Sequence, residues 1–444
     1  MTAHAQPTTK VKSGRWTRRR FLKWSAAPAL GAVAGVGYVA HRRAIRMALV
    51  GAGGRGRQLA KTLRFSGVRS VYGEIAAVCD VNRRRAEEVQ VESCSSAEIY
   101  TSFKQVLERD DIRGVLIATP DHWHAAMALA ALDAGKAVYC EKPLTLTVEE
   151  GQKLVEAVHR TRGLLLVGTQ QRSSRRFQQA CELLRAGRLG AIKRVDVWLP
   201  TGSLPTSAAG GPFAVSRPPM DLDWNEWLGQ APWVDFCKQR YDPFRWWFEY
   251  SGGFVTDWGA HHLDIVHWAL DVERSGPLSV NSRGELPQIE NGYNTPRRFA
   301  IDLHYPGGIH VHVEPSETVN GIRFEGERGR IFVNRGRLTG APVEELAHRP
   351  LPSNAVRLGP PKTHWGPDTY AHLLHFLDCI DEGVAPIADV ESQHRAASAC
   401  HLANISLRLG RKLAWDAKRE AFIGDAQANA MLSRPRRAGY ELKT

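Results

Sequence analysis

A chain of 444 residues that is 43% apolar and 24% charged is long enough for two folded units and too apolar to be a disordered polymer. The formal charge is +13, but residues 1–46 hold ten Lys and Arg and no acid, which leaves +3 for the rest. The basicity therefore belongs to a leader, and composition argues against a nucleic-acid-binding surface.

The leader comes first. Thr17-Arg18-Arg19-Arg20-Phe21-Leu22-Lys23 has the twin-arginine export pattern, and residues 24–40 follow with no charge and much Ala and Gly. That stretch is short and weakly apolar for a membrane span, which needs about 20 residues. Ala32-Val33-Ala34 offers a small-x-small cleavage site. The expectation is a protein exported folded to the periplasm, with no stable span after processing; an uncleaved leader would instead be an anchor. Seven scattered cysteines, with no C-x-x-C spacing, read as reduced and buried.

From residue 46 strands and helices alternate as in a doubly wound α/β unit. The apolar run 47–50 predicts the first strand, and Gly51-Ala52-Gly53-Gly54-Arg55-Gly56 follows at once. Gly51, Gly53 and Gly56 satisfy G-x-G-x-x-G: one glycine for the turn, one for approach of a pyrophosphate, one for close packing of helix on strand. A helix over 57–65 points its N-terminus at the phosphates. A second strand, 75–79, ends in Asp80, placed to take the adenosine ribose hydroxyls and so to favour NAD. Arg83, Arg84 and Arg85 leave NADP open, since arginines hold a 2′-phosphate, and Asp80 could alternatively cap a helix.

A helix over 103–108 and a buried strand over 114–118 come next, then Thr119-Pro120-Asp121-His122-Trp123-His124. A helix over 125–134 leads to the strand 137–140 and to Glu141-Lys142-Pro143. In open α/β sheets ligands bind at the carboxyl ends of strands, so both segments stand at the crevice. The nucleotide-binding set is therefore Gly51, Gly53, Gly54, Arg55, Gly56 and Asp80, joined at these strand ends by Thr119, Pro120, His124, Glu141 and Lys142. His122 and His124 with Asp121 make a weak metal pattern; one histidine lining the pocket and one structural is preferred, with no metal expected. Lys142, between an acid and a proline at a strand end, is a candidate for proton transfer.

The strand 163–168 closes this unit. Thr169-Gln170-Gln171-Arg172 then faces the crevice, which makes Gln170 and Arg172 substrate candidates. A helix over 173–186 and a strand over 192–199 open a second unit, and the Pro/Gly/Ser-rich stretch 200–223 reads as a long loop. Trp224, Trp227, Trp233, Trp246 and Trp247 crowd into 24 residues. Most belong in a core, and one or two, Trp247 among them, are expected to touch a sugar. Asp257 and His261, four apart, share a helical face, on which a carboxylate and an imidazole can flank a substrate hydroxyl. His262 is a further substrate candidate, with capping and packing of that helix as the alternative for it and for Asp264. Beyond this, strands over 299–305, 309–313, 322–325 and 330–333 and helices over 370–380 and 396–409 are expected, then an exposed tail from 416 that could reach a neighbouring subunit. The boundaries are thus leader 1–45, nucleotide unit 46–168, second unit 169–415 and tail 416–444.

The G-x-G-x-x-G, the Ala118-Thr119-Pro120 to His124 stretch and Glu141-Lys142-Pro143 together resemble the glucose–fructose oxidoreductase/inositol dehydrogenase/rhizopine-catabolism family, from about residue 46 nearly to the end. The resemblance implies a Rossmann domain followed by an α+β domain with a large, mostly antiparallel sheet, a face of which is often buried in oligomers, so a homodimer or homotetramer. It implies NAD(P)-dependent oxidation or reduction of a sugar, polyol or glycoside, with Lys142 as the proton-transfer residue and Asp257 and His261 acting with it. Export suits a tightly held cofactor, since free NAD(H) is not recycled outside the cytoplasm. It equally suits a branch that oxidises a glycoside transiently, eliminates the aglycone and reduces the product, a hydrolysis or lysis without net redox. A non-catalytic sugar-binding protein is a third reading, disfavoured by the intact Lys142, Asp257 and His261.

Overall fold

The computed structural model describes residues 44–65, 73–201, 210–360, 362, 364 and 366–442. The leader, residues 66–72 and part of the predicted loop 200–223 lie outside them. The first unit alternates β1 (Ile45–Val50), α1 (Gly54–Phe65), β2 (Gly73–Cys79), α2 (Arg83–Ser93), β3 (Glu98–Tyr100), α3 (Phe103–Leu107), β4 (Gly114–Ile117), α4 (Asp121–Asp133), β5 (Ala137–Cys140), α5 (Val148–Thr161) and β6 (Leu165–Val167). Its six strands run parallel in the order β3-β2-β1-β4-β5-β6. That is the Rossmann order, which reverses direction between β1 and β4 and leaves a crevice there. β4 is buried at every position, as a strand covered by helices on both faces must be.

The second unit continues with α6 (Arg175–Arg185), β7 (Ile192–Pro200), α7 (Trp224–Leu228), α8 (Lys238–Tyr241), α9 (Phe254–Asp257), α10 (Gly259–Leu270), β8 (Ser279–Gly284), β9 (Phe299–His304), β10 (His310–Ser316), β11 (Gly321–Gly326), β12 (Gly329–Val333), β13 (Leu338–Thr339), α11 (Ala341–Glu344), α12 (Asp368–Glu382), α13 (Val390–Leu409), β14 (Leu413–Asp416), β15 (Ala421–Phe422) and α14 (Ala426–Ala430). Its nine-stranded sheet has the order β13-β12-β11-β7-β10-β9-β8-β14-β15. Only β7 and β10 pair in parallel; the other ladders are antiparallel. Phe299, Ile301 and Leu303 of β9 alternate into the core with Val311 and Val313 of β10, the period of a sheet packed on one face. All seven cysteines are buried.

Three expectations change. α4 begins at Asp121, four residues before the predicted start, so Asp121 to His124 form its first turn. α5 goes unpredicted, although Thr147 caps it by accepting from the Glu150 amide. The segment from 416 is not an exposed tail. Phe422 and Ala428 are buried, the Arg436 guanidinium pairs with buried Glu150, and Arg437 donates to the Gly229 carbonyl at 2.8 Å. Among the described residues no helix is long and apolar enough to cross a membrane.

Candidate active site

The glycine turn between β1 and α1 sets one wall of the site. Gly51 has φ +90°, and a Cβ there would lie 2.6 Å from the Ala118 carbonyl carbon, so the end of β4 presses against the turn. A Cβ on Gly56 would lie 1.9 Å from the Gly51 oxygen, which binds α1 tightly to β1. Gly53 and Gly54 differ: a Cβ on either meets no backbone within 4 Å and would protrude into a cleft of about 1760 Å³. A ligand can thus approach the backbone at the start of α1 closely, as anion binding at a helix N-terminus requires.

Asp80, at the end of β2, accepts from the Ala52 amide at 2.6 Å and the Asn82 amide at 2.7 Å and lines the same cleft. Burial pushes its carboxyl above the usual range, partly offset by those two amides. Of the three following arginines, Arg83 and Arg84 pair with Glu87 and Glu88 along α2, and Arg85 lies over the Tyr241 ring. Arg83 and Arg85 nevertheless line the same cleft as Asp80.

At the end of β5, Glu141 is clamped by the Arg55 Nε at 2.7 Å and the Tyr139 hydroxyl at 3.2 Å. Lys142 turns the other way, towards the second unit. Its Nζ pairs with the Asp257 carboxylate and lies 3.1 Å from the Asp257 carbonyl oxygen. Arg245 Nε donates to the same carboxylate at 3.2 Å. Burial works to raise the Asp257 carboxyl, but the Lys142 ammonium and the Arg245 guanidinium outweigh it and hold it at about 2. His261, one turn along the chain, also lines the cleft. Burial, then the charges of Lys142 and Arg335, push its imidazole well below 6.5, so it is neutral at physiological pH.

The cleft holds several buried polar atoms that make no hydrogen bond with the described residues: Arg55 Nη2, Thr119 Oγ1, Gln170 Oε1 and His261 Nδ1. Buried polar groups are rarely left unpaired. These four, with the open glycines and Asp80, fit a nucleotide and a hydroxylated substrate.

Gly51, Gly53, Gly54, Arg55, Asp80, Thr119, Pro120, Glu141, Lys142, Gln170 and His261 all line the one cleft. Asp257 does not; it stands behind Lys142 and Arg245 and acts through them. Four expected contacts are corrected. Arg172 is 2% exposed and makes a buried bidentate pair with Asp264, so it fastens α10 instead of meeting substrate. His262 is enclosed between Asn320 and Gln171. Trp247 is core, its Nε1 donating to the Gln239 carbonyl, and Trp227 is the one of the five tryptophans that reaches the cleft. His124 ties two strand-end loops together, its ring nitrogens 2.7 Å from the Pro143 oxygen and 3.0 Å from the Thr119 oxygen. Neither it nor His122, whose Nε2 meets the Trp227 carbonyl, lines the cleft. Trp123, Arg245, Trp258, Arg335 and Tyr440 line it without having been singled out. Asp302, His310 and His312 are the one group of potential metal donors among the described residues; they lie on β9 and β10, outside the cleft lining.

Residues 45–169 match a family model described as an oxidoreductase family with an NAD-binding Rossmann fold, and residues 210–358 and 360–442 match that family's C-terminal alpha/beta domain. The chain belongs to the Gfo/Idh/MocA oxidoreductase family. It is 27% identical to the scyllo-inositol 2-dehydrogenase (NAD+) of Bacillus subtilis over 391 residues, 86% of this chain and 98% of that protein. An alpha-N-acetylgalactosaminidase of Shewanella oneidensis is 30% identical over 156 residues, only 33% of either chain. The WlbA dehydrogenase of Bordetella pertussis, solved with NADH and UDP-GlcNAcA, has a TM-score of 0.62 at 18% identity, with 84% of this chain and 99% of that one covered. At that identity the likeness is one of fold. As a Gfo/Idh/MocA member the chain is an NAD-dependent oxidoreductase acting on CH–OH groups, with NAD as its cofactor.

Proposed function

We propose that the chain oxidises a secondary alcohol of a sugar, polyol or glycoside, or reduces the matching ketone, with Lys142, Asp257 and His261 as the proton-handling group. The observation that carries this is the pairing of Lys142, from a Rossmann strand end, with Asp257 of the second unit, at a cleft that Lys142 and His261 line together with the glycine turn. When bound, NAD supplies the hydride acceptor at nicotinamide C4. Asp80 and the amides of Gly53 and Gly54 would hold its ribose and phosphates, and Thr119 and Glu141 flank the strand ends towards the reacting half.

The protein's own part follows from charge. Lys142, paired with an ionised Asp257, donates to the carbinol oxygen and steadies the negative charge that grows there. The neutral His261 accepts the hydroxyl proton as hydride departs from the carbon, leaving a ketone. In the reverse direction His261 returns that proton. The test is single-turnover reduction of bound NAD across a panel of sugars, polyols and glycosides, with Lys142→Met beside the unaltered protein. Loss of at least ~10²-fold is expected. Turnover at the unaltered rate would remove Lys142 from the chemistry.

A second reading is redox-assisted glycoside cleavage, favoured by the partial likeness to a glycosidase. Release of aglycone without net NADH would select it. The twin-arginine pattern and uncharged run at 17–40 support export to the periplasm with the cofactor already held. Lysine at both 18 and 19 should strand the protein in the cytoplasm, and unchanged export would end that reading. The mostly antiparallel nine-stranded sheet supports a homodimer or homotetramer.

A further inference from the structure

Most cations around the cleft already have an anionic partner. Lys142 and Arg245 share Asp257, Arg55 holds Glu141, and Arg85 is 3.6 Å from Asp242. Arg335 is different. It sits in the turn between β12 and β13, and its guanidinium lies over the Trp258 ring at 4.5 Å. Its Nε donates to Gln171 Oε1 at 3.2 Å. Among the described residues its ionic neighbours act only at a distance: Asp368, which turns to Ser174, and Asp257 and Glu141, which are held by other cations.

The side chain is nevertheless well placed. Asn334 Oδ1 accepts from the Gly336 and Arg337 amides, both at 2.8 Å, and Asn334 Nδ2 donates to the Asn320 carbonyl at 2.9 Å, so the turn is tied from both sides. Stacking on Trp258 and the bond to Gln171 fix the guanidinium plane and leave its terminal nitrogens to the cleft. A guanidinium largely withdrawn from water, repelled by Arg55 and with no carboxylate bonded to it among the described residues, favours a ligand that brings negative charge to it. The nucleotide phosphates are not that ligand, because their cradle is the Gly53–Gly54 turn on the Rossmann side. Arg335 comes from the second unit, as do Trp258 and His261, and lines the cleft with them.

We propose that the substrate is a sugar acid, its carboxylate held bidentately by Arg335 above Trp258 while the carbinol to be oxidised lies between Lys142 and His261. This rests on the oxidoreductase reading and names its substrate class. The planar fork of arginine matches a carboxylate in a way a lysine does not. The oxidation itself is unchanged by it: hydride leaves the carbinol carbon, His261 takes the hydroxyl proton, and the carboxylate stays intact in the product.

The experiment compares matched pairs (glucose with glucuronate, galactose with galacturonate, and the corresponding methyl glycosides), with glucose 6-phosphate as a second anion. Each is assayed by NAD reduction with the full chain and with Arg335→Met and Arg335→Lys. The acids should exceed their neutral partners in kcat/KM by ~10-fold or more. Arg335→Met should cost the acids ~10–100-fold and the neutral sugars less than ~3-fold, with Arg335→Lys recovering only part. NAD affinity should not move. Preference for neutral sugars or for the phosphate ester, equal loss on acid and neutral partners, or weakened NAD binding would each overturn the proposal. If no compound reduces NAD, the oxidoreductase reading fails separately. Titration of glucuronate by tryptophan emission, unaltered protein against Arg335→Met, then still decides whether Arg335 holds a carboxylate.

Discussion

Within the site, charge assigns the roles. Lys142 and His261 are both nitrogen bases by residue type, yet their surroundings separate them. Lys142 is paired with an Asp257 held ionised at about 2, which places it as a donor, whereas burial and two nearby cations keep His261 neutral. This is why Lys142→Met is expected to lower turnover and leave NAD affinity near its original value: in the proposed reading the lost side chain faces the carbinol, while the groups proposed to hold phosphates and ribose lie on the β1 and β2 side. The same charges give the acid limb of the rate a direction. Protonating His261 removes the base, so turnover should hold below pH 6.5 and fall only well beneath it.

At the scale of the elements, the parallel sheet was legible because buried parallel strands are uninterrupted apolar runs and because G-x-G-x-x-G with Asp80 marks where β1 and β2 end. The D-x-x-x-H spacing likewise pointed to a shared face, although α9 and α10 are separate helices on either side of Trp258. Tryptophan clustering misled about Trp247, since a large aromatic ring is as useful to a core as to a sugar. Arg172 and His262 misled because a polar residue after a strand end looks alike whether its partner is a substrate or a distant Asp264 or Asn320. The segment 434–442 was illegible because its contacts are with residues hundreds of positions away. Arg434 stacks on Phe248, Arg436 pairs with Glu150, and the Tyr440 hydroxyl donates to Glu226 at 2.7 Å. The Tyr440 ring meets Trp123 edge-on at 5.9 Å, and Leu442 packs against the core of the Rossmann unit. The strap therefore joins the second unit to α4 along the cleft wall. Ending the chain after Ala438 keeps the arginine anchors and removes Tyr440 and Leu442. Release of NAD should then quicken about tenfold, on the order of 1.4 kcal/mol, as read by the loss of nucleotide after rapid dilution. An unchanged release rate would leave the strap as a clamp between units with no part in holding the cofactor.

For the whole molecule, the same burial that makes a neutral base recurs well beyond the site and sets a pH dependence of folding. His122 and His262 are held at about 4, and His267, His372 and His401 at about 3, in every case with burial as the largest cause; His375 is held at about 4 and His261 lies well below its usual range for the same leading reason. An unfolded chain protonates these imidazoles near pH 6.5, while the folded chain resists until pH 3–4. Between those limits the unfolded state binds more protons, so stability is greatest above about 6.5 and falls as the pH drops. Each proton contributes about 1.4 kcal/mol per pH unit, so even three of the seven acting fully near pH 5 would remove ~4 kcal/mol per unit, against a total of ~5–15 kcal/mol. Asp80, Asp121 and Asp264 act in the opposite sense: burial raises them in the folded state, which binds their protons before the unfolded chain does and offsets part of the loss as the pH falls towards their unfolded value of 3.8. Asp257 adds a further loss between pH 3.8 and about 2. The expected profile is a urea midpoint that is level from pH 8 to 7 and declines steadily from 6.5 to 5. Added NAD should shift the curve upward by mass action without removing its slope. A midpoint that stays level or rises across pH 6.5 to 5 would mean that the buried imidazoles take up protons in the folded state, which would also remove the grounds for a neutral His261.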